Sequence, residues 1–94
     1  FAGKKFYNDR IDIKLETQEQ IPTALENAEK IQNLGNYNVI KVNKIDGVKL
    51  YFNDDSWILV RPSGTEPLLR IYIECDDKEK LEEFKENIKN ASIA

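Results

Sequence analysis

The sequence predicts an α+β fold, a two-layer sandwich in the order β-α-β-β-β-β-α. An antiparallel four-stranded meander forms the sheet with an N-terminal strand, and two helices cover it. Three observations carry this reading. Apolar residues alternate with polar ones in short runs, and the period lengthens to that of a helix in two stretches. Four of the strand-like runs follow one another with only short polar turns between them, and strands joined in this way lie antiparallel. Two amphipathic helices can cover only one face of such a sheet.

Each element has its own justification. Residues 1–9 read as a linker from a preceding domain, and residues 10–94 as one folded unit. From Arg10 to Glu16, Ile11, Ile13 and Leu15 alternate with Arg10, Asp12, Lys14 and Glu16, the pattern of a half-buried strand with one wet face. Thr17 to Gln20 is a polar break. Ile21, Ala24, Leu25, Ala28 and Ile31 then recur at helical spacing. Pro22 falls in the first turn, where its missing N–H costs nothing, and Gly35 is placed to end a helix that reaches Leu34.

Asn38 to Lys44 reads as a strand through Val39, Ile40 and Val42. Asp46-Gly47 is a tight-turn dipeptide, and Val48 to Phe52 returns as the next strand. After the polar turn Asn53 to Ser56, the run Trp57-Ile58-Leu59-Val60 is β-branched and aromatic. Leu68 to Cys75 sets Leu69, Ile71, Ile73 and Cys75 against Leu68, Arg70, Tyr72 and Glu74. Asp76, with Glu79 three residues on, looks like a capping box for a last helix with Leu81, Phe84 and Ile88 as its apolar stripe. Ser92 to Ala94 is expected to fray.

Composition removes several function classes. Fourteen Lys+Arg stand against 17 Asp+Glu, a net charge of −3, which argues against non-specific nucleic-acid binding. The chain has no His, so it lacks the commonest general base and transition-metal ligand. Its one cysteine, Cys75, cannot form an internal disulfide and points to a reducing compartment, with a buried inert thiol as its expected role. No stretch is apolar enough to span a membrane. The absence of Met and the start at Phe1-Ala2-Gly3 suggest a piece of a longer protein.

The chemistry concentrates in Arg61-Pro62-Ser63-Gly64-Thr65-Glu66-Pro67, between the last two strands. Ser63 and Thr65 offer hydroxyl donors. Gly64 allows close backbone approach or a positive φ. Arg61 supplies a planar donor fork suited to phosphate or carboxylate, and successive backbone N–H groups can form an anion-binding concavity. The two prolines limit the freedom lost on binding. A phosphate monoester fits such a donor set. The same residues also suit a hairpin turn in which Ser63 and Thr65 satisfy only local backbone groups, and the residues alone leave both readings open. Glu66 is expected to pair with a backbone N–H or a nearby arginine.

This loop, followed by Leu68-Leu69-Arg70, resembles the phosphate-binding loop of the α-D-phosphohexomutases: phosphoglucomutases, phosphomannomutases, phosphoglucosamine mutases and phosphoacetylglucosamine mutases. The resemblance extends from about Tyr7 to Ile88, because the order of elements matches that family's fourth, C-terminal domain, whose architecture is also seen in TATA-binding-protein-like folds. It implies that 10–94 is the C-terminal phosphate-binding domain of a larger mutase. By the same resemblance Arg61, Ser63, Gly64, Thr65 and Arg70 hold the substrate phosphate. The implied partners are a hexose phosphate and the enzyme's own preceding domains, with no nucleic acid and no membrane. The implied setting is cytoplasmic.

The family's activity interconverts hexose 1-phosphate and 6-phosphate through a bisphosphate intermediate, using a phosphoserine and Mg2+. On the resemblance, the catalytic residues and the magnesium ligands lie outside these residues, and the isolated domain is inactive. Trp57 and Ile71-Tyr72 look more like the phosphoglucomutase/phosphomannomutase type than the phosphoglucosamine mutases. Two alternatives remain in the sequence. One is a stand-alone anion-binding module. The other is an RNA- or ssDNA-binding domain using Tyr51, Phe52 and Tyr72 as a stacking platform.

Overall fold

The computed structural model describes residues 6–91. It contains six strands: β1 (Tyr7–Lys14), β2 (Asn33–Leu34), β3 (Tyr37–Asn43), β4 (Val48–Phe52), β5 (Trp57–Pro62) and β6 (Leu68–Cys75). The helices are α1 (Ile21–Glu29), preceded by a short 3-10 turn at Gln18–Gln20, and α2 (Lys78–Asn90). The strands form one antiparallel sheet in the order β1-β6-β5-β4-β3-β2. The expected meander is β3 to β6, and β1 joins it beside β6, its Ile11 opposite Ile71 and its Ile13 opposite Leu69.

Both helices lie on one face. Val48, Leu50 and Phe52 of β4, Ile58 and Val60 of β5, and Leu69, Ile71, Ile73 and Cys75 of β6 are buried there. Ala24 and Ala28 of α1 and Leu81, Phe84 and Ile88 of α2 close the layer. Phe84 is its centre, 4.9 Å from the Phe52 ring and 4.8 Å from the Tyr37 ring, within the range where tilted aromatic pairs attract. The other sheet face carries Arg10, Asp12 and Lys14 of β1, Arg70, Tyr72 and Glu74 of β6, Trp57, Leu59 and Arg61 of β5, and Lys49 and Tyr51 of β4. Alternation along the paired strands assigns them there.

Several boundaries differ from the sequence expectation. Helix α1 stops at Glu29, capped by Lys30, instead of running to Leu34. Leu34 reaches the core from a strand, paired with Tyr37, and Gly35-Asn36 becomes the turn of a small hairpin. Gly35 sits at φ +59, and a Cβ there would lie 2.7 Å from Asn87 Nδ2 of α2. The glycine is thus a hairpin residue pressed against the second helix, not a helix stop. Strand β1 begins at Tyr7, so residues 7–9 of the expected linker already pair with β6, while residues 1–5 lie outside the described residues. Strand β5 extends through Arg61 and Pro62. At α2 the cap is Asp77, whose carboxylate accepts from the Glu79 and Lys80 amides at 2.8 and 3.4 Å; Asp76 instead binds Lys80. The expected fraying at Ser92 to Ala94 falls outside the described residues.

Phe52 is 1% exposed and packs on Phe84. It therefore cannot share a stacking platform with Tyr51 and Tyr72, which stand on the opposite face with β5 between them.

Candidate anion-binding site

The loop between β5 and β6 is closed by its own backbone. The Ser63 amide donates to Leu68 O at 3.0 Å, and the Leu68 amide to Glu66 O at 2.8 Å. Ser63 is turned inward, 9% exposed, and its Oγ accepts from the Thr65 and Glu66 amides at 3.4 Å each. This hydroxyl therefore holds the turn, and it keeps one O–H to give away. The far end of the loop is tied to β1, whose following residue Leu15 donates its amide to Pro67 O at 2.7 Å.

Gly64 and Thr65 are exposed at the tip. Nothing lies within 4 Å of a Cβ built at Gly64, and its φ is not positive. Of the two reasons for glycine there, only close backbone approach remains. The Glu66 carboxylate makes no hydrogen bond or ion pair among the described residues, contrary to the expected pairing.

The register brings Arg61 and Arg70 together. They are direct partners across β5 and β6 on the face away from the helices. Directly opposed residues have Cβ atoms about 5 Å apart, and like charges in that position repel. Arg61 is exposed, Arg70 half-buried, and neither forms an ion pair among the described residues. Besides Ser56 Oγ, Arg70 Nε is the buried side-chain polar atom that lacks a hydrogen-bond partner among the described residues. A buried donor left unmade costs about 1–3 kcal/mol. Two opposed guanidinium groups, one with an idle buried donor, suit a multivalent oxyanion bridging them.

Arg61 is also supported from behind. A Cβ at Gly47 would lie 2.3 Å from Val60 O and 3.2 and 3.3 Å from Arg61 Cα and Cγ, and Gly47 has φ +103. Only glycine lets the β3–β4 turn rest against Arg61. The sequence marked Gly47 as a turn residue; its contact with Arg61 spans two hairpins and has no local signature.

At the opposite end of β6 a lysine is paired with two carboxylates. Lys80 Nζ binds Asp54 Oδ2 at 2.6 Å and Asp76 Oδ1 at 2.8 Å, and lies over the Tyr37 ring at 5.5 Å. Burial disfavours the Lys80 ammonium, but the hydrogen bonds to Asp54 and Asp76 outweigh it and raise its pKa. Burial likewise opposes the Asp54 carboxylate, and the bonds from Lys80 and Ser56 still hold its pKa below the usual value. Burial pushes the Cys75 thiol up, and its Sγ donates to Asp77 O at 3.2 Å. That is an inert thiol, as expected.

The open face also has a hollow of about 630 Å³ whose lining includes Arg10, Trp57, Tyr72 and Glu74. There Trp57 Nε1 donates to Glu74 at 3.1 Å, and Arg10 Nε lies 3.7 Å from the Asp12 carboxylate. Among the described residues no group of three or more His, Cys, Asp or Glu could hold a metal ion, and no helix is long and apolar enough to cross a membrane.

Fold and loop together define an α+β domain with two opposed arginines, unpaired among the described residues, at one corner of its open sheet face. Residues 11–91 match the family model for the C-terminal domain of phosphoglucomutase/phosphomannomutase. The chain belongs to that family, as a C-terminal domain of the phosphohexomutase kind. It is 44% identical over 70 residues to a Methanobrevibacter smithii protein named "Probable phosphoglucosamine mutase", covering 74% of this chain and 16% of that one. It is 44% identical over 57 residues to a "Phosphoglucomutase/phosphomannomutase" of Thermococcus kodakarensis, covering 61% of this chain and 12% of the other. A "Phosphomannomutase" of Methanocaldococcus jannaschii is 44% identical over 50 residues, covering 53% and 11%. The chain thus spans less than a fifth of the length of these relatives. Their names include both types, so they do not support the subtype expected from Trp57, Ile71 and Tyr72.

Proposed function

We propose that this chain is the substrate-phosphate-binding domain of a phosphohexomutase that interconverts hexose 1-phosphate and 6-phosphate. The observation that carries the reading is the direct cross-strand pairing of Arg61 with Arg70, both without an anionic partner among the described residues, beside the Ser63-Gly64-Thr65 tip. The two guanidinium groups, the Thr65 hydroxyl and the exposed Gly64 amide are the donors offered to the phosphate. Ser63 shapes the loop and has one further O–H to donate.

In this reading the phosphate held here is the one not being transferred. Gripping it orients the reacting end of the sugar, so remote binding energy lowers the barrier there. The bisphosphate intermediate, the phosphoserine and the magnesium ion belong to other parts of a full-length mutase, and this chain by itself catalyses nothing. A single buried cysteine accords with a cytoplasmic setting.

The test is Arg61→Ala in the full-length protein. Charge-assisted hydrogen bonds contribute about 1.5–3 kcal/mol, so kcat/KM on a hexose phosphate should fall by about one to two orders of magnitude. Both KM and kcat should suffer, while phosphorylation of the catalytic serine survives. A wild-type kcat/KM would reduce Arg61 to a hairpin residue.

A further inference from the structure

Lys14 is the last residue of β1 and stands opposite Leu68, two positions along from the Asp12–Arg70 pair. Alternation puts it on the same sheet face as Arg70 and Arg61, at the loop end. Diagonal neighbours on one face of an antiparallel pair lie about 7–8 Å apart, within reach of long side chains. Lys14 is exposed. Like Lys41, Lys49, Lys78 and Lys89 it has no ion pair among the described residues, but of these five only Lys14 stands diagonal to Arg70. Its backbone is held to the loop, because the next residue, Leu15, donates to Pro67 O. Leu68 is 7% exposed yet stands apart from the contiguous core.

We infer that Lys14 is a third cation of the site and contacts the bound phosphate from the β1 side. This rests on the reading of Arg61 and Arg70 given above. Three cations from β1, β5 and β6 then converge on one corner of a chain whose net charge is −3. The arginines supply planar forks, and the lysine adds a compact point charge that adapts to whichever oxygen the forks leave open. Asp12, directly opposite Arg70 on β1, lies 3.7 Å from Arg10 Nε and forms no ion pair with Lys14, Arg61 or Arg70 among the described residues.

The experiment is an NMR titration of the 94-residue chain with inorganic phosphate, following the Arg61 and Arg70 Nε–H and the Lys14 side-chain signals. In the wild type all three should move together. Lys14→Gln should weaken phosphate binding about fivefold, the scale of an exposed charge pair, and Lys14→Arg should restore most of it. The exposed, unpaired position leaves the amide spectrum of both variants native. Lys14→Gln binding phosphate as tightly as wild type, with Arg61 and Arg70 still responding, overturns the inference and leaves the arginine site standing. Phosphate shifts that fall elsewhere, or none at the two arginines, overturn both.

Discussion

Strand β6 carries charge at both ends, and the two ends are opposites. Beyond its C-terminal end, Lys80 sits between Asp54 and Asp76 at 2.6 and 2.8 Å, with side chains 17%, 23% and 31% exposed. At its N-terminal end, Arg70 faces Arg61, and its buried Nε has no partner. Partly buried charge is costly unless paired. The first cluster meets that cost internally and holds the β4–β5 turn against the start of α2. The second leaves it unmet among the described residues, which the proposed phosphate would meet. On the proposed reading, the closed cluster serves the fold and the open one serves a ligand.

The comparison can be broken at the position that serves both purposes. Gly47 backs Arg61 and turns the β3–β4 hairpin. Gly47→Ala would bring a Cβ within 2.3 Å of Val60 O at φ +103. Strain of this kind costs about 1–3 kcal/mol before any clash, so the loss should be about 3 kcal/mol. It is the one change expected to lower both thermal stability and phosphate affinity. A variant that melts early but binds phosphate normally would separate Gly47 from the site.

Arg70→Met sharpens the contrast. Phosphate affinity should drop by about 10- to 100-fold, the worth of a charge-assisted contact. The melting temperature should stay level or rise, because a like-charge pair and an orphan donor are both removed. A stability loss as large as the affinity loss would make Arg70 a structural residue.

Lys80→Met should do the reverse. Leaving Asp54 and Asp76 unpaired costs about 1–2 kcal/mol, or about 5–15 °C in Tm for a domain of this size, with phosphate binding intact. The sign with pH is fixed by the same contacts. Asp54 and Asp76 are lower in the folded state than their ordinary value of 3.8, so the unfolded state takes up protons first on acidification. Their contribution is full at neutral pH and is lost as pH falls below about 4. Lys80 is raised, so its share persists to high alkalinity. In the variant, the wild-type stability loss below pH 4 should be smaller, and urea midpoints across pH 2–7 would read it. An unchanged acid slope would mean the clamp is not the acid-sensitive element.

Much of the fold was legible in local pattern. Alternation in Leu68 to Cys75 and Trp57 to Val60, and helical spacing in Ile21 to Ala28 and Leu81 to Ile88, report which face each residue buries. The misreadings occurred where tertiary contact overrode propensity. Ile31 and Leu34 continue an acceptable helical stripe, yet Leu34 pairs with Tyr37 and Gly35 packs against Asn87. Asp76 and Asp77 are equivalent as caps until Lys80 claims the first.

The amino-acid sequence alone determined the strand and helix types, the inert cysteine and the loop's donor chemistry, because each depends on neighbours within a few positions. The tertiary structure decided what the donors can do. Strand register set Arg61 against Arg70 and brought Lys14 to the same corner, a glycine two hairpins away supported Arg61, and Ser63 was turned inward to hold the loop. Spacing along a chain cannot report these pairings. A shift of one residue in register would send every side chain of a strand to the opposite face, and that register is set only when the whole sheet packs against its helices.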